Sequence, residues 1–291
     1  MRQFRRVGVV GLGVMGLSMA RHLLAGGFSV RGYDIAETAR RRASSEGISL
    51  EGSAAALADD VEVLVTSLPS AAALQVVTSE LLEAGTAPSV VVETSTLALA
   101  DKARLLEQLT PLGSIVLDCP ISGTGEQIAN GDAVIYTSGA QQVCEEVAPI
   151  LECFARAVHY TGQYGNGTRM KFVANLLVAV HNVAAAEAIA LAQRSGLEFP
   201  ASLTALLDGA GASKMLEVRG PAMLERRYLP GAMRMGLFDK DLKLISDHAT
   251  ASGARTPLFT ASLDVYRQGI EEGLIEEDTA AVFEVLIEGL E

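Results

Sequence analysis

Gly11-Leu12-Gly13-Val14-Met15-Gly16 sets three glycines at the spacing G-x-G-x-x-G. The pattern is weak by itself in a chain of 28 glycines. It gains weight because the apolar run Val7–Val10 precedes it and a helical pattern follows it. In that context the first glycine permits a tight turn and the second lets backbone approach a pyrophosphate. The third allows close helix–strand packing, and the helix end offers free N–H groups to phosphate. Asp34 ends the second strand run, about 20 residues past the glycines, where a carboxylate accepts from a ribose 2′-hydroxyl and repels a 2′-phosphate. NAD is therefore favoured over NADP. Arg40-Arg41-Arg42 follows, either as a solvated helix face or with one arginine reaching a phosphate. Thr66-Ser67-Leu68-Pro69 and Glu93-Thr94-Ser95-Thr96 come after later strands, where open parallel sheets bind ligands. Leu68, Pro69 and Thr96 are thus candidates to line the same groove, though each hydroxyl serves equally well as an N-cap.

Three further segments could act on a substrate. In Asp118-Cys-Pro-Ile-Ser122-Gly123-Thr124, a hydroxyl and accessible backbone N–H groups suit a carboxylate. Lys171 and Asn175 are i, i+4 on one face of a largely apolar helix. A desolvated lysine moves toward the pKa range useful for proton transfer, and an asparagine both donates and accepts. Lys240 lies in Phe238-Asp239-Lys240-Asp241-Leu242, at the start of another helix. Their plain structural alternatives are a snorkelling lysine, a core asparagine and a surface ion pair. His22, His159, His181 and His248 are scattered, so no metal site is expected.

The elements that must carry these residues alternate in the first half. Strand runs are expected at Arg6–Val10, Ser29–Tyr33, Val61–Ser67, Ser89–Glu93, Ser114–Asp118 and Ala133–Thr137. Helices are expected at Met15–Ala25, Thr38–Ser45, Ala71–Ala84 and Ala100–Leu109. That alternation implies a parallel sheet covered on both faces. After the turn-rich Gly162-Gln-Tyr-Gly165-Asn-Gly167 only helical periodicity is found: Thr168–Gly196, Pro200–Leu207, Ala212–Arg226, Phe238–Ser252, Pro257–Gly269 and a last helix from Asp278 to Gly289. A boundary at residue 162 is expected.

The 291 residues carry a net charge of −12, and 49% are apolar. This excludes intrinsic disorder and argues against general nucleic-acid binding, without excluding a local basic pocket. Cys119, Cys144 and Cys153 are odd in number and form no C-x-x-C pair, so reduced thiols in a cytoplasmic protein are expected. The basic start Met1–Arg6 runs into a glycine-rich strand rather than a signal h-region. Phe172–Ala192 is nearly long enough to cross a membrane, but Asn175, His181, Asn182 and Glu187 interrupt it. A buried helix and no membrane span are expected.

Gly11-x-Gly13-x-Met15-Gly16, Asp118-x-Pro120-x-Ser122-Gly123, Gly165-x-Gly167-x-x-x-Lys171-x-x-x-Asn175 and Lys240-Asp241-Leu242 occur together and in this order. In this the chain resembles the β-hydroxyacid dehydrogenases, specifically the 3-hydroxyisobutyrate dehydrogenase and tartronate semialdehyde reductase branch, over nearly its whole length. The resemblance implies an α/β Rossmann-type doubly wound sheet over 1–162, then an all-α C-terminal domain over 163–291 joined by a long helix. It implies NAD or NADP as cofactor and a small hydroxy acid or semialdehyde as substrate. Lys171 becomes the general acid/base. Ser122 and Gly123 hold the substrate carboxylate with Thr124 beside them, Asn175 aids substrate binding, and Lys240 lies near cofactor and substrate. A homodimer or homotetramer is implied. Two departures border the substrate pocket: Thr124 stands where relatives carry a second glycine, and Ala174 precedes Asn175 where they carry a pair of asparagines. NADP-using relatives often show Asn-Arg at Asp34-Ile35. The alternatives are a related reductase of another carbonyl or imine substrate and a non-catalytic dinucleotide-binding relative.

Overall fold

The computed structural model describes residues 3–287. The chain divides into two compact units, Met1–Lys171 and Phe172–Glu291.

The first unit holds a six-stranded sheet in the order β3-β2-β1-β4-β5-β6. Its strands are β1 Arg6–Val10, β2 Ser29–Tyr33, β3 Ser49–Leu50, β4 Val63–Thr66, β5 Val90–Glu93 and β6 Ile115–Asp118. All pairings are parallel. The connecting helices are α1 Val14–Ala25, α2 Glu37–Ser45, α3 Ala54–Asp60, α4 Ala71–Ala84 and α5 Leu99–Leu109. In β1, β4 and β5 successive residues point to opposite faces and both faces are buried, so these strands read as nearly unbroken apolar runs, whereas β2 is buried only at alternate positions. Val7, Val9, Val63, Val65, Val90 and Val92 belong to one core with α1. Val10, Leu64, Val91 and Val116 belong to a second core with α3, α4 and α5. The strand order reverses between β1 and β4, which is where a parallel sheet of this kind opens a crevice at its carboxyl edge.

Beyond β6 the chain builds a second sheet. β7 Ile121–Ser122 pairs antiparallel with β8 Ala133–Thr137, and β9 Ala155–Tyr160 pairs parallel with β8. The expected strand Ala133–Thr137 exists, but in this sheet rather than the main one. Two helices belong to this region, α6 Gly125–Ala129 and α7 Gln141–Leu151.

Helix α8 spans Asn166–Arg194, and the division between the units falls inside it. It is long and apolar enough to cross a membrane by length and composition, yet 44% of its most apolar window is buried inside the protein. The second unit continues with α9 Ala201–Asp208, α10 Lys214–Glu225, α11 Met235–Ser252, α12 Pro257–Glu271 and α13 Val282–Leu286. The last expected helix is a 3-10 turn, Thr279–Ala281, followed by α13. Its expected end at Gly289 lies outside the described residues.

All three thiols are free; Cys119 and Cys144 are buried and Cys153 is half-buried. Burial pushes the Cys144 thiol up to about 11 and raises Cys119 and Cys153 as well, so it is the partial exposure of Cys153 that sets it apart. The thiolate is the reactive form. Iodoacetamide at about pH 8 is therefore expected to add one label, at Cys153, to the native protein and three after denaturation, read by intact mass. Labelling of Cys119 or Cys144 in the native protein would show this packing to be wrong. The raised Cys144 thiol adds stability that is whole below its unfolded value of 9.0 and is lost as the pH rises through about 11.

Candidate active site

The glycine loop sits at the carboxyl end of β1. Gly11 has φ +89°, and a Cβ there would lie 2.2 Å from the Ser67 carbonyl oxygen. A Cβ on Gly16 would lie 1.8 Å from the Gly11 oxygen, whereas one on Gly13 would meet nothing within 4 Å. The outer glycines are thus required by the protein's own packing. Gly13 instead faces open space, and it caps α1 with no side chain. An exposed backbone cradle at a helix N-terminus fits a pyrophosphate.

Asp34 is fixed beside this loop. Its Oδ2 accepts from Leu12 N–H at 2.7 Å and its Oδ1 from Ala36 N–H at 2.7 Å. A carboxylate has about four acceptor positions, so a ribose hydroxyl can still bind. The Arg40 guanidinium donates to the Asp34 carbonyl at 2.9 Å and pairs with Glu37 at 2.6 Å. Arg41 pairs with Glu37 as well, at 3.0 Å. These two arginines are engaged with Glu37 rather than presented as an unpaired phosphate site.

Leu68 and Pro69 follow β4 as expected. The Leu68 N–H donates to Ser95 Oγ at 2.9 Å, so the hydroxyl after β5 braces the turn after β4. Ser95 therefore serves the loop rather than a helix cap, while Ser70 caps α4 through Ala73 N–H. Thr96 is half-buried in the loop after β5.

The segment from Asp118 to Gly125 runs from β6 to α6 against the same loop: a Cβ on Gly125 would lie 2.5 Å from Val14 Cγ1. Ser122 and Gly123 are half-buried. Thr124 is the N-cap of α6, in a capping box with Gln127. Its hydroxyl accepts from Gln127 N–H at 3.3 Å, which gives it a structural duty that the sequence reading did not assign.

The start of α8 abuts that segment. A Cβ on Gly167 would lie 2.7 Å from the Asp118 oxygen and 2.9 Å from Pro120 Cδ, so only glycine lets the helix begin this close. Lys171 follows within that packed start and is 5% exposed. Asn175, one turn on, is 4% exposed. Its Nδ2 donates to Asp241 Oδ2 at 2.9 Å. Lys240 Nζ lies 3.6 Å from Asp241 Oδ1 with its side chain 43% exposed. Asp241 thus joins two expected site residues. Among the described residues no group of three or more His, Cys, Asp or Glu could hold a metal ion.

Residues 6–162 match the family model described as the NAD binding domain of 6-phosphogluconate dehydrogenase. Residues 165–286 match that described as the NAD-binding region of NADP-dependent 3-hydroxyisobutyrate dehydrogenase. The chain is 32% identical to the L-threonate dehydrogenase of Escherichia coli K12 over 289 residues, covering 96% of this chain and 94% of that one. The chain belongs to the β-hydroxyacid dehydrogenase family. Two solved members of the family have the same fold. The 3-hydroxyisobutyrate dehydrogenase of Salmonella typhimurium is 30% identical with a TM-score of 0.82, covering 97% of this chain and 99% of that one. That of Mycobacterium tuberculosis, with L-serine, is 26% identical with a TM-score of 0.89, covering 98% and 99%. This β-hydroxyacid dehydrogenase is an NAD(P)-dependent oxidoreductase of small hydroxy acids or their semialdehydes.

In this dehydrogenase the sequence offers Asp239 or Asp241 as an ion-pair partner of Lys240, but the bond from Asn175 to Asp241 was missed, and Lys102 altogether. Both left a signal. Lys102 shares the buried face of α5 with Leu105 and Leu109. Asp241 shares that of α11 with Phe238, Leu242 and Ile245. An ionisable side chain on an apolar helical stripe must find a partner.

Proposed function

We propose that Lys171 is the general acid/base in the interconversion of a short β-hydroxy acid and its semialdehyde. The supporting observation is that the glycine loop, the Ser122–Gly125 segment and the packed start of α8 meet in one unit, with Lys171 buried at the last of them. NAD(P), when bound, supplies the hydride acceptor or donor. Lys171 takes the hydroxyl proton in oxidation and returns a proton to the carbonyl oxygen in reduction. Ser122 and the backbone at Gly123 hold the substrate carboxylate. Asn175, with one N–H committed to Asp241, offers its remaining amide groups to the substrate hydroxyl. Lys240 adds positive charge where the substrate is anionic. Asp34 disfavours a 2′-phosphate, and Glu37 keeps Arg40 and Arg41 from offsetting it, so the cofactor is NAD. The sheet unit is the dinucleotide-binding domain, and the helical unit is the substrate and oligomerisation domain.

The protein is soluble, cytoplasmic and homo-oligomeric in this proposal. Val173, Leu177 and Leu191 are 53, 48 and 69% exposed and fall on one stripe of α8, which suits a contact with a second copy. The test is turnover of 3-hydroxyisobutyrate, glycerate, L-threonate and related short acids with each dinucleotide. NAD is expected to give a kcat/KM more than about tenfold above NADP, the worth of roughly 1.4 kcal/mol. Equal or better use of NADP refutes the role given to Asp34. Dinucleotide binding with no turnover across the panel refutes the proposed substrate class.

A further inference from the structure

Lys102 is fully buried between two equally buried carboxylates. Its Nζ lies 2.6 Å from Asp118 Oδ1 and 2.6 Å from Glu93 Oε2. Burial alone would drive the ammonium down, but the charges of Asp118 and Glu93 outweigh it and hold Lys102 above the ordinary lysine range. Two negative charges against one positive leave the triad one charge short, in a place where an unmatched charge is costly.

Helix α8 supplies the balance. Thr168 donates its backbone N–H to Asp118 Oδ2 at 2.8 Å and its hydroxyl to Oδ1 at 2.8 Å. Ser138 Oγ donates to Asp118 Oδ2 at 3.1 Å and accepts the Gly167 N–H at 3.0 Å. Asp118 is thus a cap, supplied from β6, on the positive end of a 29-residue helix. Lys171 stands three residues after Thr168, so the turn that Asp118 anchors is the one from which the Lys171 side chain projects. The other titratable groups on the network are Tyr164, whose hydroxyl donates to the Lys102 carbonyl at 2.9 Å, and Cys119. Burial, together with the nearby carboxylates, raises both and keeps them neutral.

We propose that Lys102 is a positioning residue for Lys171, acting through Asp118. Lys102 fixes the Asp118 carboxylate, Asp118 fixes the first turn of α8, and that turn aims Lys171. The proposal rests on Lys171 being the acid/base group.

The test is Lys102→Met, which keeps the side chain's reach and removes its charge, with Lys171→Ala measured alongside. The expected Lys102→Met enzyme is folded and binds NAD within about threefold of the parent, because the glycine loop lies on other elements. Its kcat falls by about a hundredfold, the cost of a misplaced reacting group. Its kcat profile gains an ionisation, because two adjacent buried carboxylates without a cation must share a proton. A purely structural Lys102 would lower the melting temperature and leave kcat and its pH profile unchanged, and that result overturns the proposal. If Lys102→Met does not fold, Thr168→Val decides. It removes one donor to Asp118 and leaves the triad intact. A kcat lowered about tenfold at constant KM supports the proposal, and an unchanged kcat overturns it. Turnover surviving in Lys171→Ala overturns the acid/base reading and this proposal with it. Turnover lost there but intact in Lys102→Met overturns the positioning role alone.

Discussion

Lys171→Ala is expected to lower kcat by roughly a hundred- to ten-thousandfold, the range of a positioned acid/base. Dinucleotide affinity should stay within a few-fold. The two effects separate because Lys171 lies near the start of α8, whereas the cradle for the dinucleotide lies between β1 and α1. Lys171→Arg should fail as well, because a guanidinium keeps its proton throughout the working range. Steady-state turnover with the best acid of the panel, beside a fluorescence titration of reduced dinucleotide, checks both parts. A variant that loses affinity and kcat together would mean that Lys171 holds ligand rather than moving a proton.

The glycine loop yields a paired prediction. In Gly16→Ala the new Cβ would have to occupy a point 1.8 Å from the Gly11 carbonyl oxygen, so α1 must move away from the turn. Such overpacking costs about 1–3 kcal/mol and displaces the N–H groups that face the pyrophosphate. The melting temperature and the dinucleotide affinity should both fall, the latter by about a hundredfold. In Gly13→Ala the Cβ meets no protein atom within 4 Å. Its melting temperature should be unchanged while its affinity still falls, because the space belongs to the ligand. Calorimetric melting and dinucleotide titration of the two variants check this. Equal affinity in Gly13→Ala and the parent would remove the pyrophosphate from that position.

The main sheet was legible because strands buried on both faces are written as unbroken apolar runs, as at Val7–Val10 and Val90–Val92. β3, β7 and α6 are too short to leave a period. Ala133–Thr137 was readable as a strand, but its sheet was not, because pairing with Ile121 and Ala155 is a non-local fact. The same holds for the site. The spacing of Gly11, Gly13 and Gly16 is local and was read directly. The capping of Thr168 by Asp118, 50 residues earlier, has no local trace. Thr124 was read only beside the substrate carboxylate, although its spacing to Gln127 also carried the capping box that starts α6.

The seam between the two units runs through a helix rather than a linker. Trypsin, whose specificity suits the Lys171–Phe172 bond, would have to unwind α8 to cleave there, so the units are not expected as separable fragments. The same seam governs chimaeras. One residue inserted after Lys171 turns everything downstream by about 100° around the helix axis, which takes Asn175 off the face it shares with Lys171. A graft of the helical unit from a relative must therefore keep helical phase across this point, a stricter condition than matching the length of a loop.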